Sequence, residues 1–212
     1  MFDPVMFWLD WFGVAVFATT GALVASRKQM DLVGFIMLGT VTGIGGGTIR
    51  DAILGNLPVF WIADPRYLIT CVAVSGAAFF LAHIPQSRHR LLLQFDAVGL
   101  AAFAVIGTET ALAAGAVPVV AIAMGVITAT FGGIIRDVLG GESPAILRRE
   151  IYVTAALLGA SLFVVLLSAG LDRSSSLFCG FVVALAVRLG ALRWQWTLPR
   201  YRPRPGRPRE EQ

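Results

Sequence analysis

The sequence predicts an all-α polytopic membrane protein with seven transmembrane helices, built as two inverted three-helix repeats plus a seventh helix. Three observations lead there: apolar blocks of bilayer-spanning length, sparse and one-sided charge, and a duplication of the chain within itself. Of the 212 residues, 57% are hydrophobic and 14% charged, against roughly 25% charged in a soluble domain. The apolar residues lie in continuous blocks, with no polar helix faces left to clothe a soluble core.

The first block, Val5–Ser26, belongs to a start, MFDPVMFWLDWF, that lacks a basic region and carries Asp3. It reads as a retained helix, not a cleaved leader. Leu32–Ile49 follows and holds most of the stretch GIGGGTIRD. Tyr67–His83, Ala97–Val117, Val119–Ile135, Ile151–Leu171 and Leu177–Val187 complete the set. Each block approaches the ~20 residues that cross a bilayer. Cys71 and Cys179 fall inside spans and read as packing residues, with neither a disulfide nor a metal cluster.

Charge sets the direction. Arg27 and Lys28 follow span one, Arg88 and Arg90 span three, and Arg148 and Arg149 span five, while six arginines from Arg193 to Arg209 follow span seven. The opposite face offers only Arg66 and Arg173. The positive-inside rule then places the N-terminus outside and the C-terminus in the cytoplasm, across the inner (plasma) membrane. The Pro- and Arg-rich tail PRYRPRPGRPREEQ predicts disorder. Its charges suit anionic lipid headgroups, and no nucleic-acid role is expected.

Displaced by 86 residues, the sequence matches itself without a gap, and 18 of 49 positions are identical between 10–58 and 96–144. The matches include residues that apolar composition does not produce by chance. Asp10 falls on Asp96, Gly46–Gly47 on Gly132–Gly133, Arg50–Asp51 on Arg136–Asp137, and Pro58 on Pro144. A unit of three spans is odd, so the second copy enters the membrane the opposite way, about a pseudo-two-fold axis in the membrane plane. The expected organisation is 1–90 for the first repeat, 91–172 for the second, 173–195 for the seventh helix and 196–212 for the basic tail.

In inverted-repeat folds the substrate path runs near the midplane, between helices at corresponding positions. Here those are spans two and five, which carry Gly43, Gly45, Gly46 and Gly47, and Gly132 and Gly133. Each glycine costs about 1 kcal/mol of helix propensity relative to alanine, and a cluster permits a kink. Carbonyls freed by a kink are tolerated only beside protein or a water-filled path, where they can replace part of a cation's hydration shell. Thr42, Thr48, Thr128 and Thr130 would add hydroxyls nearby. The other use of such glycines is close helix packing; two matched sites, each leading into Arg-Asp, favour the hinge. On that reading, leucine at Gly46 or Gly133 should block the path and leave the protein folded.

Arg50 and Arg136 cost about 2.5–3.5 kcal/mol each to insert and read as charges lining a pathway. Asp51 and Asp137 follow them directly and point about 100° away around the helix. They are therefore expected to be poor partners for their neighbouring arginines. Asp10 and Asp96 lie at matching depth, which predicts the contacts Asp10–Arg50 and Asp96–Arg136. Glu109, whose counterpart is Leu23, reads as reaching the outer interface, and His83 and His89 as interfacial. No Cys/His cluster, nucleotide loop or Ser/His/Asp spacing is present. No enzyme activity, cofactor or resident metal is expected.

The paired motifs GGGTIRD and FGGIIRD, in spans two and five of a chain with 3+3+1 organisation, resemble those of the TRIC (trimeric intracellular cation) channel family, prokaryotic branch. The resemblance covers roughly residues 7–192. It implies a homotrimer with one pore per protomer, bounded by the kinked second and fifth helices and conducting monovalent cations, mainly K⁺. Carried over by position, the hinges are Gly45–Gly47 and Gly132–Gly133. Arg136 takes the place of a lysine found in animal members. Phe131 stands where a third glycine would, which implies a stiffer hinge or a gate element. The same duplicated unit occurs in bacterial proteins described as glycine transporters, and inverted repeats suit alternating access as well as a channel. A secondary transporter of a small amino acid such as glycine is the alternative.

Overall fold

The structure, a computed structural model, describes residues 4–82, 88–148 and 150–199. Eight α-helices account for most of them: α1 (Pro4–Arg27), α2 (Leu32–Leu54), α3 (Phe60–Ala63), α4 (Arg66–Leu81), α5 (Arg88–Ala113), α6 (Pro118–Leu139), α7 (Val153–Ser168) and α8 (Arg173–Trp194). A 3₁₀ turn, Ala145–Leu147, lies between α6 and α7. Among the described residues β-pairing is limited to one bridge, between Glu150 and Thr197. Helices α1, α2, α5, α6 and α8 are long and apolar enough to cross a membrane. Helices α4 and α7 are apolar but 16 residues each. Thus each apolar block of the sequence lies largely within one helix, and the single-turn α3 is an addition. Asp3, His83 and residues 200–212, which include most of the basic tail, lie outside the described residues.

Local chemistry sets the ends. The Asp31 carboxylate accepts from the Gly34 amide at 2.8 Å and caps α2. Gly55, at φ 70°, closes α2 in the left-handed conformation that glycine adopts without a Cβ penalty. Pro118 opens α6, where its missing N–H costs nothing. Asp172 caps α8 through the Ser175 amide at 2.9 Å.

The packing of α1, α2 and α4 is repeated by α5, α6 and α7: the first of each set packs on its second and third, and the second on its third. Between the sets, α1 packs on α5 and α2 on α6, while α8 lies against α5 and α7. The contacts are reciprocal in detail. A Cβ on Gly13 would press on the Phe103 ring at 3.2 Å, and one on Gly99 would meet the Phe17 ring. Those two rings meet edge to face with centroids 5.0 Å apart. Gly21 lets α1 onto the Leu38 carbonyl and Gly39 of α2; its counterpart Gly107 lets α5 onto Thr128 and Gly125 of α6. Small residues thus bring backbones together where no water-driven force operates between helices.

Candidate functional site

The two glycine-bearing helices cross at Gly46 and Gly132. A Cβ on Gly46 would collide with the Thr128 carbonyl oxygen, and one on Gly132 would lie 2.6 Å from the Thr42 carbonyl oxygen. The other glycines make room elsewhere: Gly43 for Cys71 and the Val14 carbonyl, Gly45 for Ile135, Gly47 for the Phe60 ring, and Gly133 for the Tyr152 hydroxyl. Both helices run unbroken through these positions. Thr42, Thr48, Thr128 and Thr130 donate to carbonyls four residues back in their own helices, at 2.6–2.8 Å. In this conformation the glycines therefore serve close approach. Leucine at Gly46 would drive its Cβ into the Thr128 carbonyl, which opposes the expectation that the variant stays folded. Phe131 is half-buried on α6.

A charged cluster sits beyond each glycine. At the end of the bundle where α1 finishes (the far end), Arg136 is 2% exposed and its Nη1 donates to Asp96 Oδ1 at 2.7 Å and to Thr20 Oγ1 at 3.0 Å. Its Nε and Nη2 grip Asp137 Oδ1 at 2.9 and 2.8 Å. Asp137 Oδ2 accepts from the Ala145 amide at 3.0 Å, capping the 3₁₀ turn, and the Tyr152 hydroxyl lies 3.5 Å from Asp96 Oδ1. The expected Asp96–Arg136 contact is present.

At the end where α1 starts (the near end), Arg50 Nε and Nη2 hold Asp51 Oδ1 at 2.8 Å each, and Asp51 Oδ2 accepts from the Phe60 amide at 2.9 Å. Asp51 and Asp137 are thus partners of their neighbouring arginines, against expectation. Each carboxylate is fixed by the first amide of the following turn, and the long guanidinium side chain curls back to meet it. The Asp10–Arg50 contact is not closed: Asp10 forms no salt bridge with a described residue, although it faces Arg50 with the Tyr67 hydroxyl beside it. Two substitutions within the repeat account for this. Thr20, which helps hold Arg136, has Ile106 as its counterpart, and Phe60 draws the Arg50 guanidinium over its ring at 5.6 Å.

Tyr67 and Tyr152 occupy equivalent places, as do Phe60 and Ala145, although each pair is 85 residues apart and not 86. The second unit is one residue shorter after Pro144, so an ungapped self-match loses both pairs. Arg188 was also missed. It closes an apolar run, has no counterpart in the duplication and is fully buried. Its Nη2 pairs with Glu150 at 2.7 Å and its guanidinium lies over the Tyr152 ring at 4.9 Å. Glu109 is buried and paired with Arg173 at 2.7 Å, so it does not simply reach an interface.

The two ends differ in what surrounds the clusters. A cavity of about 570 Å³ opens at the near end, lined by Asp10, Arg50, Tyr67, Ile106, Ala113 and Ala114 among others. Arg66 lies there too, and its guanidinium holds the Asp64 carboxyl below the usual carboxylate range. The far-end equivalents of Ala113, Ala114 and Asn56 are Arg27, Lys28 and Glu142. Glu142 is bridged to Arg27 at 3.2 Å, Arg148 at 3.7 Å and Lys28 at 4.0 Å. Nearby, Thr197 bridges to Glu150, and Trp196 stacks on Trp194 with centroids 5.4 Å apart. Among the described residues no group of three or more His, Cys, Asp or Glu could hold a metal.

The family model described as Glycine transporter matches twice, at residues 7–83 and 93–168, and the two matches begin 86 residues apart. The UPF0126 inner membrane protein YadS of Escherichia coli K12 is 44% identical over 201 residues, covering 93% of this chain and 96% of the relative. The solved TRIC trimeric intracellular cation channel orthologue from Rhodobacter sphaeroides is 60% identical, with a TM-score of 0.90 over 92% of this chain and 100% of that one. A prokaryotic TRIC channel solved in 0.5 M KCl is 32% identical, with a TM-score of 0.85 over 92% of this chain and 98% of that one. The chain is therefore a multi-pass membrane protein that belongs to the Glycine transporter (UPF0126) family, in the prokaryotic branch represented by the TRIC cation channels.

Proposed function

We propose that this protein is a channel for monovalent cations, mainly K⁺, acting as a homotrimer with one path per protomer along α2 and α6. The observation that carries the reading is the matched Asp–Arg–Asp–Tyr cluster at each end of the α2–α6 crossing. In each, an aspartate neutralises the adjacent arginine, which would otherwise repel a cation. The near-end cavity also holds Asp10, which forms no salt bridge with a described residue, and a negative cavity raises the local cation concentration. The glycine crossing lies between the clusters. Flexing at Gly45–Gly47 and Gly132–Gly133 would part α2 from α6 and expose carbonyls to an ion, with Phe131 beside the hinge.

On this reading α1, α2, α4, α5, α6, α7 and α8 are the seven spans, in repeats 1–90 and 91–172, with 173–195 and the tail 196–212 added outside the duplication. Contacts of α1 with α5 and of α2 with α6 join two helices to their own sequence equivalents, which supports a two-fold relation between the repeats. The N-terminus faces outside and the C-terminus the cytoplasm, where the tail arginines meet anionic headgroups. The description of solved relatives as TRIC cation channels supports the activity, and that of YadS as an inner membrane protein supports the location.

A second reading, a carrier of a small amino acid such as glycine, is favoured by the family description and by a cavity open at one end while the Asp96–Arg136 contact is closed at the other. Planar-bilayer recording under opposed K⁺ and Na⁺ gradients separates the two. Unitary currents reversing at a cation potential are expected for the channel. Saturable glycine uptake into liposomes without unitary currents would overturn it.

A further inference from the structure

The near-end cavity holds one carboxylate that forms no salt bridge with a described residue. Arg50 is committed to Asp51, and Arg66 to Asp64 through three hydrogen bonds of 2.6–3.0 Å. Asp10 remains, half-buried, with the Tyr67 hydroxyl beside it. Ile106, Ala113 and Ala114 make an apolar wall in the same cavity. Its aromatic rings already attract cations: Arg50 lies over Phe60 at 5.6 Å and Arg66 over Phe7 at 5.7 Å. At about 570 Å³, the space is in the range of small-molecule sites and far exceeds one water's share of about 30 Å³.

The duplication supplies an independent observation. At the far end, the positions equivalent to Ala113 and Ala114 are Arg27 and Lys28, which direct their own organic cations at Glu142. There the chain places a guanidinium and an alkylammonium against Glu142, where the near end has methyl groups and the neutral Asn56 around a cavity.

We propose that the near-end cavity binds small organic ammonium ions, with Asp10 as the counter-charge and Tyr67, Ile106, Ala113 and Ala114 receiving the alkyl groups. Glycine is a poor fit, because its carboxylate needs a free cation and Arg50 is held by Asp51. The site stands on the cavity alone. A failure of K⁺ conduction would leave it intact, and a failure of ammonium binding would leave the channel reading intact.

The test is isothermal titration calorimetry on the full-length chain in detergent, with tetramethylammonium chloride and, separately, glycine. Tetramethylammonium is expected to bind saturably, and glycine to give no saturable heat. Asp10→Asn should weaken tetramethylammonium at least about tenfold. Ala114→Lys should weaken it as much, by supplying a tethered ammonium. Ala114 is exposed, so that variant decides the matter even where Asp10→Asn does not fold. Absence of saturable tetramethylammonium binding, unchanged affinity in Ala114→Lys, or glycine binding as tightly as tetramethylammonium would each overturn the proposal.

Discussion

Replacing Arg136 with methionine tests whether one guanidinium is the counter-charge of two buried carboxylates. Arg136, Asp96 and Asp137 are 2%, 1% and 3% exposed. Without the guanidinium, both carboxylates remain buried in one site, and among the described residues the hydrogen bonds left to them are those of the Ala145 amide to Asp137 and the Tyr152 hydroxyl to Asp96. Removing one partner of a buried pair costs about 3–5 kcal/mol. Asp96→Asn is milder. The grip of Arg136 on Asp137 survives, an amide oxygen can still accept from Nη1, and the trio becomes neutral. Its cost is that of a charged hydrogen bond, about 1.5–3 kcal/mol. At roughly 2–4 °C per kcal/mol for a chain of this size, Arg136→Met should lower Tm by about 6–20 °C and Asp96→Asn by about 3–12 °C. The double variant buries one carboxylate fewer than Arg136→Met and should be more stable than it, a non-additive outcome. The assay is thermal unfolding followed by tryptophan fluorescence, in one detergent at neutral pH. Arg136→Met matching or exceeding the stability of Asp96→Asn, or a double variant less stable than Arg136→Met, would refute the reasoning.

Gly46→Ala should destabilise by about 1–3 kcal/mol, since its Cβ meets the Thr128 carbonyl, and Gly46→Leu should yield little folded protein by size-exclusion chromatography. Arg188→Met leaves Glu150 unpaired at its 31%-exposed side chain, so solvent absorbs part of the loss. It should cost less than Arg136→Met in the same thermal assay. For the exposed Asp64–Arg66 pair the depressed carboxyl sets the sign: its contribution is full above the ordinary value of 3.8 and is lost as pH falls through the lower folded value. The Tm difference between wild type and Asp64→Asn should therefore be small, constant from pH 7 to about 5, and vanish only in stronger acid.

Apolar block length made the helices legible in the sequence, and the duplication singled out spans two and five and both Arg-Asp motifs, because Gly, Arg, Asp and Pro do not recur in register by composition. Legibility stopped where the register did. One residue fewer after Pro144 shifts Tyr152 off Tyr67, so the fourth member of each cluster was invisible to an ungapped match. The partners of Asp51 and Asp137 were misjudged from Cβ direction alone, which ignores the reach of an arginine and the turn amides of Phe60 and Ala145. Glycine identity could not separate hinge from close approach, since the colliding carbonyl of Thr128 belongs to a helix some 80 residues away. Arg188 belongs to the helix outside the duplication, so no internal copy marked it.

The shortness of α4 and α7 has a consequence for the lipid around the protein. Sixteen residues at 1.5 Å each make a rod of about 24 Å, some 6 Å short of a typical hydrocarbon thickness of about 30 Å. Both helices carry outward apolar side chains, Ile69, Phe79 and Phe80 on one and Leu157, Leu158 and Val165 on the other. On the seven-span reading, acyl chains that meet these faces must compress, at a fraction of a kcal/mol per Å. Each third helix then dimples its leaflets and draws headgroups towards the midplane. A protein so shaped prefers a thin bilayer, and its stability and transport should fall as the acyl chains of the host membrane lengthen.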